Sequence, residues 1–317
     1  RRYLANRSSM HRLALFSREQ LHRLTRELQL DYERNEGVLV LLRGAKDLVR
    51  AQPGLTLLGE LGVAHELLDA AGCRRVEPGL NPAMPLQAGI WLASDEVANC
   101  RQFALLMRTQ AQRLGAQFRF HTTVRALQAG RRPQLTHQHL PRDDSNVPAV
   151  AAEASPGEGP PTVPMPATEV TESFDAVVLC AALGAPALLA PHGLRLPLLA
   201  VHGYSVTAPL QHLEEHPEVG PRSALLDERY KVAISRLGNR LRVAGSAELG
   251  GSPARHHPGA LGTLYKVLDD WFPGAACLSQ AQAWKGARPM LPDGPPPVMC
   301  AMACTGSSAS TASTDFT

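Results

Sequence analysis

The segment YKVAISRLGNRLRVAGSAE, residues 230–248, constrains the fold more than any other stretch. Val232 and Ile234, then Leu241 and Val243, alternate on either side of Gly238-Asn239. A period of two puts these side chains on one face of two strands, and a Gly-Asn pair tolerates the positive φ that a tight turn requires. The segment therefore reads as a β-hairpin with one apolar face.

Helical spacing surrounds it. Leu261, Leu264, Tyr265, Leu268 and Trp271 share one face of a helix, and Leu13, Phe16, Leu21, Leu24 and Leu28 share another between Met10 and about Leu30. EGVLVLLR (36–43) reads as a strand. Asn99, with Gln102 three residues on, caps a further helix carrying Phe103, Leu106, Met107 and Leu114, after which AQFRFHTTV alternates like a half-buried strand. FDAVVLCAALGAPALL is a continuous apolar run of strand length closed by a small-residue turn, the pattern of a strand buried on both faces. The chain is mixed α/β.

With 317 residues, 44% hydrophobic and 19% charged, such a chain fills one or two globular domains. A net charge of +3, without a basic block, argues against a nucleic-acid partner. Cys73, Cys100, Cys180, Cys277, Cys300 and Cys304 lack zinc-site spacing and read as reduced, mostly buried thiols of a cytoplasmic protein. No apolar stretch of about 18 residues is present, and RRYLANRSSMHR lacks a signal-peptide core. A first residue that is Arg1 rather than Met suggests a start inside a longer protein. Residues 129–173, rich in Pro, Ala, Glu and Thr, read as a disordered surface insertion, and 299–317 as an unstructured tail.

GxGxxG, a phosphate loop, GxSxG and HExxH are all missing. His137 and His139 fall in the insertion, and His256-His257 precede Pro258, so the histidines read as loop residues rather than metal ligands. WKGARPMLPDGPPP (284–297) sets Arg288 among small residues and prolines: either a surface cation beside a turn, paired with Asp293, or a fixed clamp for an anion.

Four strings in order, SDEVANCRQFALLMRTQAQRLGAQFRFHTTV, AVHGYSVTAPL, SALLDERYKVAISRLGNRLRVAGSAEL and WKGARPMLPDGPPPV, resemble the bacterial FAD-dependent D-amino-acid dehydrogenases, with similarity from about Asn6 to Val298. The resemblance implies an FAD-dependent amino-acid oxidase-like fold, in which a partial dinucleotide-binding domain accompanies a substrate domain on a large mixed sheet. On this basis 1–128 holds substrate-domain segments and part of the FAD domain, 174–190 an FAD-domain strand and turn, and 191–298 the substrate-domain sheet and helix. It also implies oxidative deamination of a D-amino acid by hydride transfer to FAD, with electrons passed to a respiratory carrier and peripheral association at the inner membrane.

Hydride transfer needs the substrate Cα held about 3 to 3.5 Å from the flavin, and a guanidinium fixes a carboxylate by two parallel hydrogen bonds where Lys gives only a point charge. The resemblance places that role on Arg288 within GARP, a second hydrogen bond on Tyr230, and side-chain contacts on His202 and Tyr204, although the family more often has Lys at position 202. It sets Val124 beside the FAD adenine and passes Ala181, Ala182 and Gly184 close to the cofactor. The family opens on a Gly-rich βαβ unit that holds the FAD pyrophosphate and continues past PDGPPPV into a flavin-facing strand. The sequence shows neither, so weak FAD binding by this chain alone is expected, and a non-catalytic partial domain stays open as an alternative. Another flavin amine oxidase, acting on glycine or sarcosine, is the competing enzyme reading.

Overall fold

The structure, a computed structural model, describes residues 2–140, 168–211, 219–252, 254–292 and 294–296. In chain order the elements are α1 (Arg2–Glu27), β1 (Asn35–Leu42), α2 (Ala45–Glu60), β2 (Glu66–Asp69), α3 (Ala70–Val76), β3 (Ala88–Val97), α4 (Cys100–Arg113), β4 (Thr122–Gln128), β5 (Gln134–His139) and β6 (Glu169–Ser173). They continue with α5 (Ala185–Leu189), β7 (Leu199–Pro209), β8 (Ala224–Asp227), β9 (Val232–Leu237), β10 (Arg240–Leu249), α6 (Pro258–Trp271) and β11 (Gln282–Met290). Two compact units result: residues 1–111 with 199–290, and 112–198 with 291–317.

The first unit is built on an eight-stranded mixed sheet, order β11-β7-β10-β9-β8-β1-β3-β2, in which β1 and β8 run parallel and the other pairs antiparallel. One face packs Tyr204, Val206, Val232, Ile234, Leu241 and Val243 against Leu264, Val267, Leu268 and Trp271 of α6. The opposite face buries Leu42, Ala88 and Ile90 under Leu48, Ala51, Leu55 and Leu58 of α2. Strand alternation produces this division, since successive side chains leave the sheet on opposite sides. The hairpin is β9–β10, with Val243 facing Ile234 in register and Gly238 at φ 57 in the turn.

A buried charge cluster ties α6 to the sheet. Arg43, just past β1, donates Nε to Asp227 Oδ2 at 2.6 Å and Nη1 to Asp270 Oδ2 at 2.7 Å, while Trp271 Nε1 donates to Asp227 Oδ2 at 2.7 Å. A carboxylate buried as deeply as Asp227 is tolerable only with partners of this kind. The Asn99 cap forms as expected, accepting the Gln102 N–H at 3.2 Å.

Several expectations are corrected. Helix α1 is longer than its apolar spacing suggested, and Leu13 and Phe16 are exposed, 45% and 59%, while Leu21 and Leu24 are half-buried. The strand expected over AQFRFHTTV begins only at Thr122. FDAVVLC forms no strand, and Val178 is 86% exposed. In the second unit β4 and β6 each present a sheet edge, and FDAVVLC pairs with neither. Strands β5 and β6 fall inside the stretch expected to be disordered, so His137 and His139 lie on a strand rather than a loop, and His137 Nε2 sits 3.5 Å from Glu172. Residues 141–167 and the tail 299–317 lie outside the described residues. Among the described cysteines only Cys73 is buried, its thiol pushed up to about 11 chiefly by desolvation, whereas Cys100 and Cys180 are exposed. No helix among the described residues is long and apolar enough to cross a membrane.

Candidate active site

Strands β7, β10 and β11 shape one open face of the sheet. Gly203 of β7 pairs directly with Gly286 of β11, and Arg288 pairs with Val201. Arg288 therefore projects from the side carrying Val201 and Gly203, opposite the one that α6 covers. Its guanidinium lies over Gly203, where Nη1, Nη2 and Cζ occupy the space a β-carbon would need, and Nη1 donates to the Ser246 carbonyl at 3.2 Å. Ser246 sits at φ 68 in the irregularity between Gly245 and Glu248, and this bulge turns its carbonyl toward the arginine. Asp293, the partner expected beside it, lies outside the described residues, and among the described residues no carboxylate pairs with Arg288. The indole of Trp284 lies over Gly286 in the same way and is 58% exposed.

Tyr204 and His202 occupy the other face. Tyr204, 1% exposed, donates its hydroxyl to Glu248 and accepts the His257 N–H at 3.1 Å, and His202 Nδ1 bonds the Gly250 carbonyl at 3.0 Å. Lys285 pairs with Glu248 at 2.8 Å and caps the Ser252 and Arg255 carbonyls, each at 2.9 Å. Its hydrogen bond, followed by that of Tyr204, holds the Glu248 carboxyl below the usual range; burial pulls the Lys285 ammonium down, but Glu248 and Tyr204 outweigh it and hold it up. The pair expected to read a substrate side chain thus anchors the 250–257 loop.

Tyr230 also lies on the α6 side, its ring 5.0 Å from Arg43 Cζ and 5.3 Å from Lys266 Nζ, its N–H donated to Asp227 at 3.1 Å. The structure accordingly separates Tyr230 from Arg288 instead of bringing them to one grip. What sequence reasoning missed is the glycine pair and Trp284, which only the β7–β11 register reveals.

The second unit holds a cavity of about 580 Å³, walled by Val124, Leu127, Leu135, Val177, Val178, Leu179, Ala181, Gly184, Ala187 and Leu188, with Thr122 and Arg125. Three of the four residues expected at the cofactor line it, and Ala182 stands in the adjoining turn at φ 47, a left-handed conformation rare for Ala. The β4–β5 register slips between Val124 and Ala126, a bulge beside the cavity. The slot is mostly apolar, with the Arg125 guanidinium, bonded to Gln138, at its wall, a lining compatible with a flat aromatic group such as the adenine expected there. No cluster of three or more metal-ligating side chains occurs among the described residues.

A family model described as DAO, FAD dependent oxidoreductase, matches residues 1–309. Curated relatives include D-amino acid dehydrogenases of Rhizorhabdus wittichii, 38% identical over 93% of this chain and 64% of the relative, and of Rhodopseudomonas palustris, 37% identical over 93% and 62%. The chain thus spans less than two thirds of their length. Among solved structures, a glycine oxidase from Geobacillus kaustophilus aligns with TM-score 0.69 at 20% identity over 90% of this chain and 68% of that one. An iminodiacetate oxidase from Chelativorans sp. BNC1 aligns with 0.62 at 18% over 91% and 70%, and both show a likeness of fold.

Proposed function

The chain belongs to the FAD dependent oxidoreductase family, and from that premise we propose that it oxidatively deaminates D-amino acids to 2-oxo acids and ammonia; the relatives it is similar to are named D-amino acid dehydrogenases. Val124, Ala181, Ala182 and Gly184 would hold FAD, which would supply the two-electron acceptor for the Cα hydrogen and hand those electrons to a respiratory carrier. The imino acid left behind takes up water and releases ammonia.

The chain's own residues supply position. Arg288 grips the substrate carboxylate with N–H groups other than the one given to Ser246, and Gly203 beneath lets the guanidinium lie close to the sheet. A group held in a fixed fork is what an oriented Cα–H requires. Val124, Ala181, Ala182 and Gly184 hold the adenosine end of the cofactor. Tyr230, His202 and Tyr204 act as supports beneath this face.

The observation that carries the proposal is Arg288: a cation laid in a cradle made by a glycine, held by one backbone carbonyl and without a carboxylate partner among the described residues. The test is turnover of the flavin-loaded protein with an artificial electron acceptor on D-alanine and on sarcosine. D-alanine turnover that falls by about 10²-fold or more in Arg288→Ala supports it; a preference for sarcosine, or an Arg288→Ala variant with unchanged kcat/KM, overturns it.

A further inference from the structure

Trp284, Gly286 and Arg288 alternate along one face of β11, and Gly286 is paired with Gly203. The indole fills the space above Gly286 and the guanidinium the space above Gly203. Directly opposed β-carbon positions in an antiparallel pair lie about 4.5–5.5 Å apart, so the indole edge and the guanidinium are neighbours on a floor of two glycines.

Trp271 is fully buried and Trp91 half-buried, whereas Trp284 keeps 58% of its surface in water. It does so on a strand at the end of the sheet order, beside a cation that lacks a carboxylate partner among the described residues. A packing tryptophan would turn its ring into the core. This one lies folded along the strand with its outer face open.

We propose that Trp284 is the residue that reads the substrate side chain: with the acid group on Arg288, the side chain lies against the indole, and the site selects D-amino acids with aromatic or large apolar side chains. The inference rests on the assignment of Arg288 to the substrate carboxylate. Tyr204 and His202, expected from the sequence in this role, are committed to the far face.

The test uses the full chain loaded with FAD and compares D-phenylalanine with D-alanine in wild type, Trp284→Ala and Trp284→Phe. Loss of an aromatic contact raises KM for D-phenylalanine by about tenfold in Trp284→Ala, leaves KM for D-alanine within about twofold, and is largely restored in Trp284→Phe. Equal changes for both substrates, or no change for either, overturn the proposal. A second measurement is independent of turnover: D-phenylalanine quenches tryptophan fluorescence in the wild type and not in Trp284→Phe. Quenching without oxidation of any D-amino acid sinks the dehydrogenase assignment and leaves the Trp284 site standing. Oxidation that depends on Arg288 but shows neither quenching nor discrimination sinks the Trp284 site alone.

Discussion

Gly203→Ala separates the work of the guanidinium cradle from that of the fold. A β-carbon at position 203 falls well inside 3.0 Å of Nη1, Nη2 and Cζ of Arg288, closer than such atoms ever come. Restoring an ordinary carbon contact of about 3.5 Å moves the guanidinium by about 1 Å. The arginine is exposed and its stem flexible, so this movement costs the fold little, and Ala in a strand interior is favoured over Gly by about 0.5–1 kcal/mol. A misplacement of about 1 Å in a group that orients the reacting carbon lowers rate by about 10²-fold, or about 2.7 kcal/mol of transition-state binding. Steady-state kinetics on D-alanine and a thermal melt of the same sample measure the two quantities. The expected outcome is kcat/KM down by about two orders of magnitude with Tm unchanged or slightly raised. Unchanged kcat/KM would refute the cradle, and a large fall in Tm would show that the glycine serves packing instead.

Arg43→Met strands a buried Asp227, and urea unfolding should show a loss of about 3–5 kcal/mol, much of it recovered in the double variant with Asp227→Asn. Glu77 is buried and accepts the Arg222 and Ser223 N–H groups at 2.9 and 2.5 Å, yet desolvation outweighs these donors and raises its pKa above the ordinary 4.5. Its folded form holds the proton more tightly, so its contribution is complete below pH 4.5 and is lost as pH rises through the folded value. The unfolding free energy of wild type minus that of Glu77→Gln should therefore decline as pH rises from 4.5 to the folded value; a flat or rising difference across that window refutes the assignment. Ala181→Leu fills part of the 580 Å³ cavity, and overpacking of about 1–3 kcal/mol should weaken FAD binding by about ten- to hundredfold, read from visible flavin absorbance after dialysis.

Local periodicity made the hairpin, α6, β1 and the Asn99 cap legible, because each depends on neighbours within a few residues. FDAVVLC misled because an apolar run of strand length does not say whether, or with what, the segment will pair. The first half of α1 misled similarly: spacing defines a face, and what covers it is decided elsewhere in the fold. At the candidate site, the sequence showed Arg288 and Tyr230 as one constellation, but the side of the sheet each takes depends on strand pairing, which no local pattern encodes. The partnership of Gly203 with Gly286 is hidden for the same reason.

Strand parity then assigns the work across β7. His202, Tyr204 and Val206 point toward α6, where they hold the 250–257 loop and the core, while Val201, Gly203 and Ser205 form the side on which Arg288 and Trp284 lie. A slip of one residue in the β7–β11 pairing would exchange the faces of Arg288 and Lys285 and separate Lys285 from Glu248. The pairing of Lys285 with the partly exposed Glu248, in contact with Tyr204, favours the register that keeps Arg288 on the open face. Structure on this strand is thus one constraint: the side chains that hold the loop also determine which face carries Arg288 and Trp284.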